Sequence, residues 1–179
     1  IEFLRDISLG KKVDLAGKTV VIIGGGNVAI DVARTSIRLG AKAHIVYRRE
    51  EKDMPAFASE IHEAREEGTQ FTFLAAPLKV VGNKKNKVKQ IVLQSMKLGP
   101  YDRSGRRRPV AIEGAEITLD ADLIVPAIGQ EPGYDKIDEE LKLNKSRSNT
   151  LVVDKRSMVT NIEGVFAGGD CVSGPATVV

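Results

Sequence analysis

One cysteine, two histidines, no tryptophan, five phenylalanines and three tyrosines stand among 179 residues. The lone Cys171 excludes a disulfide framework, a cysteine-rich zinc site or an iron–sulfur cluster built from this chain alone. It also suits a reducing, cytoplasmic setting. His44 and His62 are read as structural, so no metal site is expected. No apolar run reaches the roughly 18 residues of a transmembrane helix, and no signal-peptide pattern is present, so no membrane partner is expected. No Ser–His–Asp or paired-carboxylate arrangement stands out, and no catalytic residue is assigned. Charge of one sign is also lacking: 27 Lys and Arg face 24 Asp and Glu, a net +3. Arg106-Arg107-Arg108 and Lys84-Lys85 have no aromatic residues between them and read as solvated hairpin turns, not as a nucleic-acid surface. No repeat or low-complexity tract occurs. What remains is 42% hydrophobic residues in a chain of one ordinary domain's length, enough to bury a core. The chain opens on Ile1 and not on Met, and upstream sequence is expected.

Strand and helix patterns alternate through the first half. Residues 19–23, Thr-Val-Val-Ile-Ile, form a β-branched apolar run of the kind buried on both faces of a parallel sheet. Ala29, Ala33 and Ile37 then recur at helical spacing, with Gly40 as a C-terminal stop. Residues 43–47 predict a second strand. Phe57, Ile61 and Ala64 mark the inner face of a second helix, between Pro55 and Gly68, whose acids Glu60, Glu63, Glu66 and Glu67 form a solvent face. Residues 71–74 predict a third strand. A hairpin from Val80 to Met96 and a return strand over 112–119 predict an antiparallel meander. Residues 122–125 read as another buried strand, 131–149 as polar loop with at most one helical turn, and 151–153 and 164–167 as closing strands.

Gly24-Gly25-Gly26-Asn27-Val28-Ala29 fits G-x-G-x-x-A between the first strand and the first helix. In that context the pattern predicts a dinucleotide turn. Gly24 permits the bend, Gly26 lets the backbone approach a pyrophosphate, and Ala29 lets helix and strand pack closely. The helix N-terminus supplies N–H groups and a positive dipole end. The competing reading is a turn that ends a strand for structural reasons only. About 20 residues beyond the first glycine, NAD-binding proteins place an acid for the adenosine ribose. This chain has Tyr47-Arg48-Arg49 there, and arginine can hold a 2′-phosphate that a carboxylate would repel. The expectation is NADP, with Lys52 and Arg34 as secondary phosphate contacts. Glu50 and Glu51 follow directly and could pair with the arginines. Ala127, Ile128 and Gly129, at the end of a parallel strand, are expected to line the nicotinamide side.

Taken together, IIGGGNVAIDVARTSIRLGA, VYRR, MPAFASEIHEAREEG, LIVPAIGQEP and TNIEGVFAGGDCVSGPATVV resemble the small (β) subunit of NADPH-dependent glutamate synthase. The same family includes the corresponding part of dihydropyrimidine dehydrogenase and electron-bifurcating transhydrogenase subunits. The resemblance covers nearly the whole chain. It implies an α/β, Rossmann-like, three-layer FAD/NAD(P)-binding fold, with a parallel sheet, helices on one face and an antiparallel β-meander on the other. Residues 1–17 would cross from an FAD domain, 18–167 would form the NADPH domain, and 168–179 would cross back, with Gly169 and Asp170 contacting flavin in the whole protein. The implied role is to present NADPH for hydride transfer to FAD, electrons passing on to iron–sulfur clusters. The implied partners are the parent's FAD and iron–sulfur domains and a larger synthase subunit. The isolated chain is expected to hold no FAD and to be inactive. Asn27 departs from the family, in which many members carry Asp. An NADP(H)-binding sensor without redox turnover is the alternative expectation.

Overall fold

The computed structural model describes residues 1–102, 105–130, 133–134, 137 and 140–174. The chain forms two compact units, 1–128 and 129–179.

The first unit begins with α1 (Glu2–Ser8), which the sequence reading did not foresee. β1 (Thr19–Ile23) and α2 (Asn27–Arg38) follow, then β2 (Lys42–Tyr47) and a 3-10 turn (Glu51–Asp53). α3 (Ala58–Glu66), β3 (Gln70–Phe73), β4 (Ala75–Gly82), β5 (Val88–Tyr101), β6 (Arg107–Asp120) and β7 (Leu123–Pro126) complete it. Four strands pair in parallel in the order β3-β2-β1-β7, and β4-β5-β6 form a separate antiparallel sheet.

Pleat alternation explains the layering. Successive side chains of a strand point to opposite faces, and β1 is apolar at every position from Val20 to Ile23, so it serves two cores. Val20 and Ile22 pack with Ala29, Ile30 and Ala33 of α2 and with Ile61 and Ala64 of α3. Val21 and Ile23 pack with Val46 and with Ile91 and Leu93 of the meander. These side chains are almost fully buried. The parallel sheet therefore lies between helices and meander, which is the α/β three-layer fold the resemblance implied.

Several local expectations need correction. Phe57 precedes α3 as its N-terminal flank and is exposed, because the helix starts one residue later. Glu60, Glu63 and Glu67 are not a solvated face: they surround the Arg34 guanidinium of α2 at 2.6, 2.8 and 2.8 Å and latch the two helices together. Arg107 and Arg108 are not in a turn but open β6, because β5 and β6 run 14 residues each and β6 begins at Arg107. His44 is a half-buried cross-strand residue whose Nε2 lies 2.7 Å from Thr72 Oγ1, and its partial burial lowers its pKa.

In the second unit, residues 151–153 and 164–167 do not form strands; they contribute only the isolated bridges Lys145–Leu151 and Val159–Phe166 among the described residues. Tyr134 is buried and donates its hydroxyl to the Cys171 carbonyl at 2.9 Å. The short helix α4 (Asp170–Ser173) starts after Gly169. The helical turn expected within 131–149 falls largely outside the described residues. No helix among the described residues is long and apolar enough to cross a membrane, and no group of three or more metal-ligating side chains occurs among them.

Candidate nucleotide-binding site

The parallel sheet has its switch point between β1 and β7: β2 and β3 lie on one side of β1 and β7 on the other. Ligands in open α/β sheets occupy the crevice at such a point, beyond the carboxyl ends of the strands. Here those ends carry Gly24 and Ala127. The Ala127 N–H donates to the Ile23 carbonyl at 2.7 Å, and the Gly24 N–H to the Val46 carbonyl at 3.0 Å, so three strand ends are tied together.

The three glycines of the turn answer to different constraints. Gly24 has φ +144°, and a Cβ there would lie 2.2 Å from the Ala127 carbonyl oxygen. Gly25 is buried under Tyr47, whose ring would be 2.6 Å from an added Cβ. Both are demanded by the protein itself. Gly26 differs. Its φ of −89° and ψ of 175° suit any residue, and a Cβ would meet only Pro55 Cγ, at 3.9 Å. Neither backbone geometry nor crowding within the protein calls for glycine at this position.

Gly26 is also the N-cap of α2, without a side-chain cap, and the first turn of the helix carries no acid. Among the described residues, the N–H groups of Gly26, Asn27 and Val28 meet no acceptor, as expected for an uncapped first turn. Ala29 is fully buried against the sheet and sets the close approach of α2.

A second wall comes from the loop before α3. Ala56 N–H donates to the Gly25 carbonyl at 3.1 Å, and Phe57 N–H donates to Asn27 Oδ1 at 3.0 Å. The Asn27 side chain, left open by the sequence, thus holds this loop against the turn. The Tyr47 hydroxyl donates to the Asp53 carbonyl at 2.8 Å and fixes the 3-10 turn beside it. The sequence reading used Pro55 and Phe57 only as marks of the helix and missed this wall, because Ala56 and Phe57 make their contacts through backbone N–H groups. Phe57 is 62% exposed and Ile128, just beyond Ala127, is 77% exposed. Both are apolar surface left at the rim of the first unit.

The arginines after β2 part company. Arg49 is only 5% exposed; its Nε donates to the Arg107 carbonyl at 2.9 Å and its Nη2 pairs with Asp102 at 3.1 Å. Arg48 is exposed and has no hydrogen bond or ion pair among the described residues. The expected pair is thereby narrowed to Arg48 as the member open to a ligand. Lys52 is exposed but pairs with Glu50 at 2.5 Å, which raises its pKa. Arg34 is held by its three carboxylates, chiefly by hydrogen bonding to Glu67, which pushes its pKa up. It is engaged in the helix latch rather than turned to the glycine bend. A cavity of about 510 Å³ opens between the 3-10 turn and α3, lined by Lys52, Met54, Ile61, His62 and Arg65 among others; no glycine-turn residue lines it.

Gly129, Gly169 and Asp170 belong to the second unit. Gly129 has φ +105° and Gly169 φ +70°, each with open space where a Cβ would stand. Asp170 is exposed in the first turn of α4.

Known proteins of similar sequence and structure point the same way. The chain is 44% identical to the NADP(+)-dependent formate dehydrogenase subunit beta of Moorella thermoacetica, over 100% of this chain and 25% of that protein. It is 43% identical to the glutamate synthase [NADPH] small chain of Azospirillum brasilense, over 92% of this chain and 34% of the relative. The chain thus spans a quarter to about a third of these curated relatives. In fold it matches Mycobacterium tuberculosis FprA, solved in complex with NADPH, with a TM-score of 0.71 and 22% identity over 92% of this chain and 49% of the other. The family model of the pyridine nucleotide-disulphide oxidoreductases matches residues 3–179, and the chain belongs to that family.

Proposed function

We propose that the first unit binds NADPH, with the pyrophosphate on the Gly24–Ala29 turn and the adenosine 2′-phosphate at Arg48, as part of an NADPH-dependent oxidoreductase. The observation that carries this reading is the glycine at position 26. Neither backbone geometry nor crowding requires it, yet it sits at an uncapped helix N-terminus, where a bound phosphate needs room and N–H donors. The names of the relatives, each an NADP- or NADPH-dependent enzyme subunit, support the choice of nucleotide.

The residues present fit such a ligand. Gly26, Asn27 and Val28 offer N–H groups, and Arg48 offers a fork of donors suited to a phosphate. Asn27 adds no negative charge beside the pyrophosphate while holding the Ala56-Phe57 wall in place. Ala127 and Ile128, at the end of β7, stand on the other side of the switch point, where the nicotinamide would lie. The bound nucleotide supplies a hydride; the chain's part is to orient the ring and keep water from it. In the whole protein, we infer, the segment around Gly169 and Asp170 would help hold FAD, which would supply an acceptor for the hydride and a route for electrons to iron–sulfur clusters in other domains. Gly129 and Lys52 are assigned lesser contacts with the nucleotide.

Calorimetric titration with NADP and NAD side by side tests the reading. Saturable NADP binding at least tenfold tighter than NAD is expected, since one charge-assisted contact is worth about 1.5–3 kcal/mol. Equal affinities, or no binding of either, would overturn it.

A further inference from the structure

The run Arg106-Arg107-Arg108 has no part in the site as drawn so far, yet the fold does not leave it at a remote turn. Arg49, next to Arg48 at the end of β2, reaches across and grips the β5–β6 hairpin through the Arg107 carbonyl and the Asp102 carboxylate. The tip is closed by Asp102 N–H to the Arg106 carbonyl at 2.7 Å. The start of β6 is therefore held at the carboxyl end of β2, where the sequence places the selectivity for the nucleotide.

The side chain of Arg107 is itself fixed. Its Nε donates to the Gly99 carbonyl at 3.0 Å and its Nη2 to the Leu98 carbonyl at 2.7 Å. Both acceptors are neutral, and no carboxylate pairs with Arg107 among the described residues. The residue is exposed, so a full positive charge is presented to solvent in a set direction. Its field is felt at Lys52, whose pKa it lowers against the stronger raising effect of Glu50. Lys52 and Arg107 thus lie within reach of each other's charge, Arg48 precedes Lys52 in the segment after β2, and among the described residues Lys52 alone of the three has an acidic partner. A group carrying nearly two negative charges would relieve that repulsion.

We propose that Arg107 is a specificity-determining residue for the 2′-phosphate of NADP, delivered by the antiparallel hairpin and acting beside Arg48. The inference rests on the NADPH reading above. In the intact fold, Arg49 would then serve as the positioning residue that docks the hairpin, and preference for NADP would depend on a long-range contact between two sheets.

The experiment compares NADPH and NADH affinities by titration calorimetry for the chain and its Arg107→Gln, Arg107→Lys and Arg48→Ala variants, with thermal melts of each. One positive charge taken at about 7 Å from a phosphate carrying nearly two negative charges, in a high-dielectric setting, gives roughly a fivefold effect. Arg107→Gln should therefore weaken NADPH about fivefold at low ionic strength and leave NADH unchanged. Arg107→Lys should recover most of the loss, because it keeps the charge while losing the fork onto Leu98 and Gly99. Raising the salt should shrink the difference. Parallel losses for both nucleotides, or a lowered melting temperature with an unaltered NADPH-to-NADH ratio, would mean that Arg107 only braces its hairpin and would overturn the proposal. If Arg48→Ala abolishes the preference while Arg107→Gln leaves it intact, the hairpin contribution alone fails. If the unsubstituted chain shows no preference for NADPH, the underlying reading falls and this inference with it.

Discussion

Replacing Gly26 by alanine should separate binding from folding. The backbone at this position lies at φ −89° and ψ 175°, and the added methyl would find its nearest neighbour at 3.9 Å, ordinary contact distance. Stiffening the unfolded chain by a glycine-to-alanine change stabilises by about 0.4–1 kcal/mol where the backbone is compatible. Losing glycine as an N-cap offsets part of that. The melting temperature should stay within about 2 °C of the parent, since 1 kcal/mol corresponds to about 2–4 °C at this size. Nucleotide binding should not survive as well. The methyl would occupy the space through which a pyrophosphate oxygen reaches the N–H groups of residues 26–28. Losing one charge-assisted bond of about 1.5–3 kcal/mol predicts a loss of roughly tenfold to about 150-fold. Gly24→Ala is the contrasting control: its methyl would stand 2.2 Å from a backbone oxygen, at a φ that alanine avoids. That variant should melt well below the parent even without ligand. The assay is titration with NADPH beside calorimetric melting of both variants. A Gly26→Ala chain that binds like the parent would refute the argument that this glycine makes room for a ligand.

Other outcomes follow from the same structure. Arg48→Ala should weaken NADP about tenfold or more without altering NAD affinity or the melt, whereas Arg49→Ala, which removes a buried partner of Asp102, should cost about 2–4 kcal/mol of stability in chemical denaturation. Leu93→Ala, in the core between sheet and meander, should cost about 2–5 kcal/mol and lower the melt by roughly 10 °C. Acid should loosen the helix latch. Hydrogen bonding to Arg34 holds the Glu67 pKa below 4.5, so the unfolded chain binds the proton first as pH falls. The stability this group contributes is complete above its unfolded value and is lost as pH drops through its lowered folded value. Melts of the parent and of Arg34→Gln between pH 7 and 3 should show this part of the acid dependence only in the parent; equal slopes would contradict it.

The strand, turn and helix of the first half could be read directly from residues 19–38, because each depends on local patterning: an apolar β-branched run, a glycine spacing and a helical period. The three-layer fold was legible through the family resemblance, whereas which face of β1 serves the helices and which the meander was settled only by packing. Contacts between distant segments were not legible. Three acids spaced along α3 look the same in sequence whether they face water or Arg34. An arginine run at a hairpin looks the same whether it is solvated or brought to the end of β2 by Arg49. The pair Arg48-Arg49 looked equivalent by type, and only packing separated them, since the hairpin carrying Asp102 and Arg107 engages Arg49 and leaves Arg48 exposed.

Amino-acid order alone determined the bend, the helix that follows it and the presence of cations where an acid would select NAD, because these are properties of neighbours along the chain. Tertiary structure decided which glycine is free of any structural duty, which arginine remains open and which distant loop supplies the second wall. Those answers depend on what other segments place within a few ångströms, and separation along the chain carries no record of that.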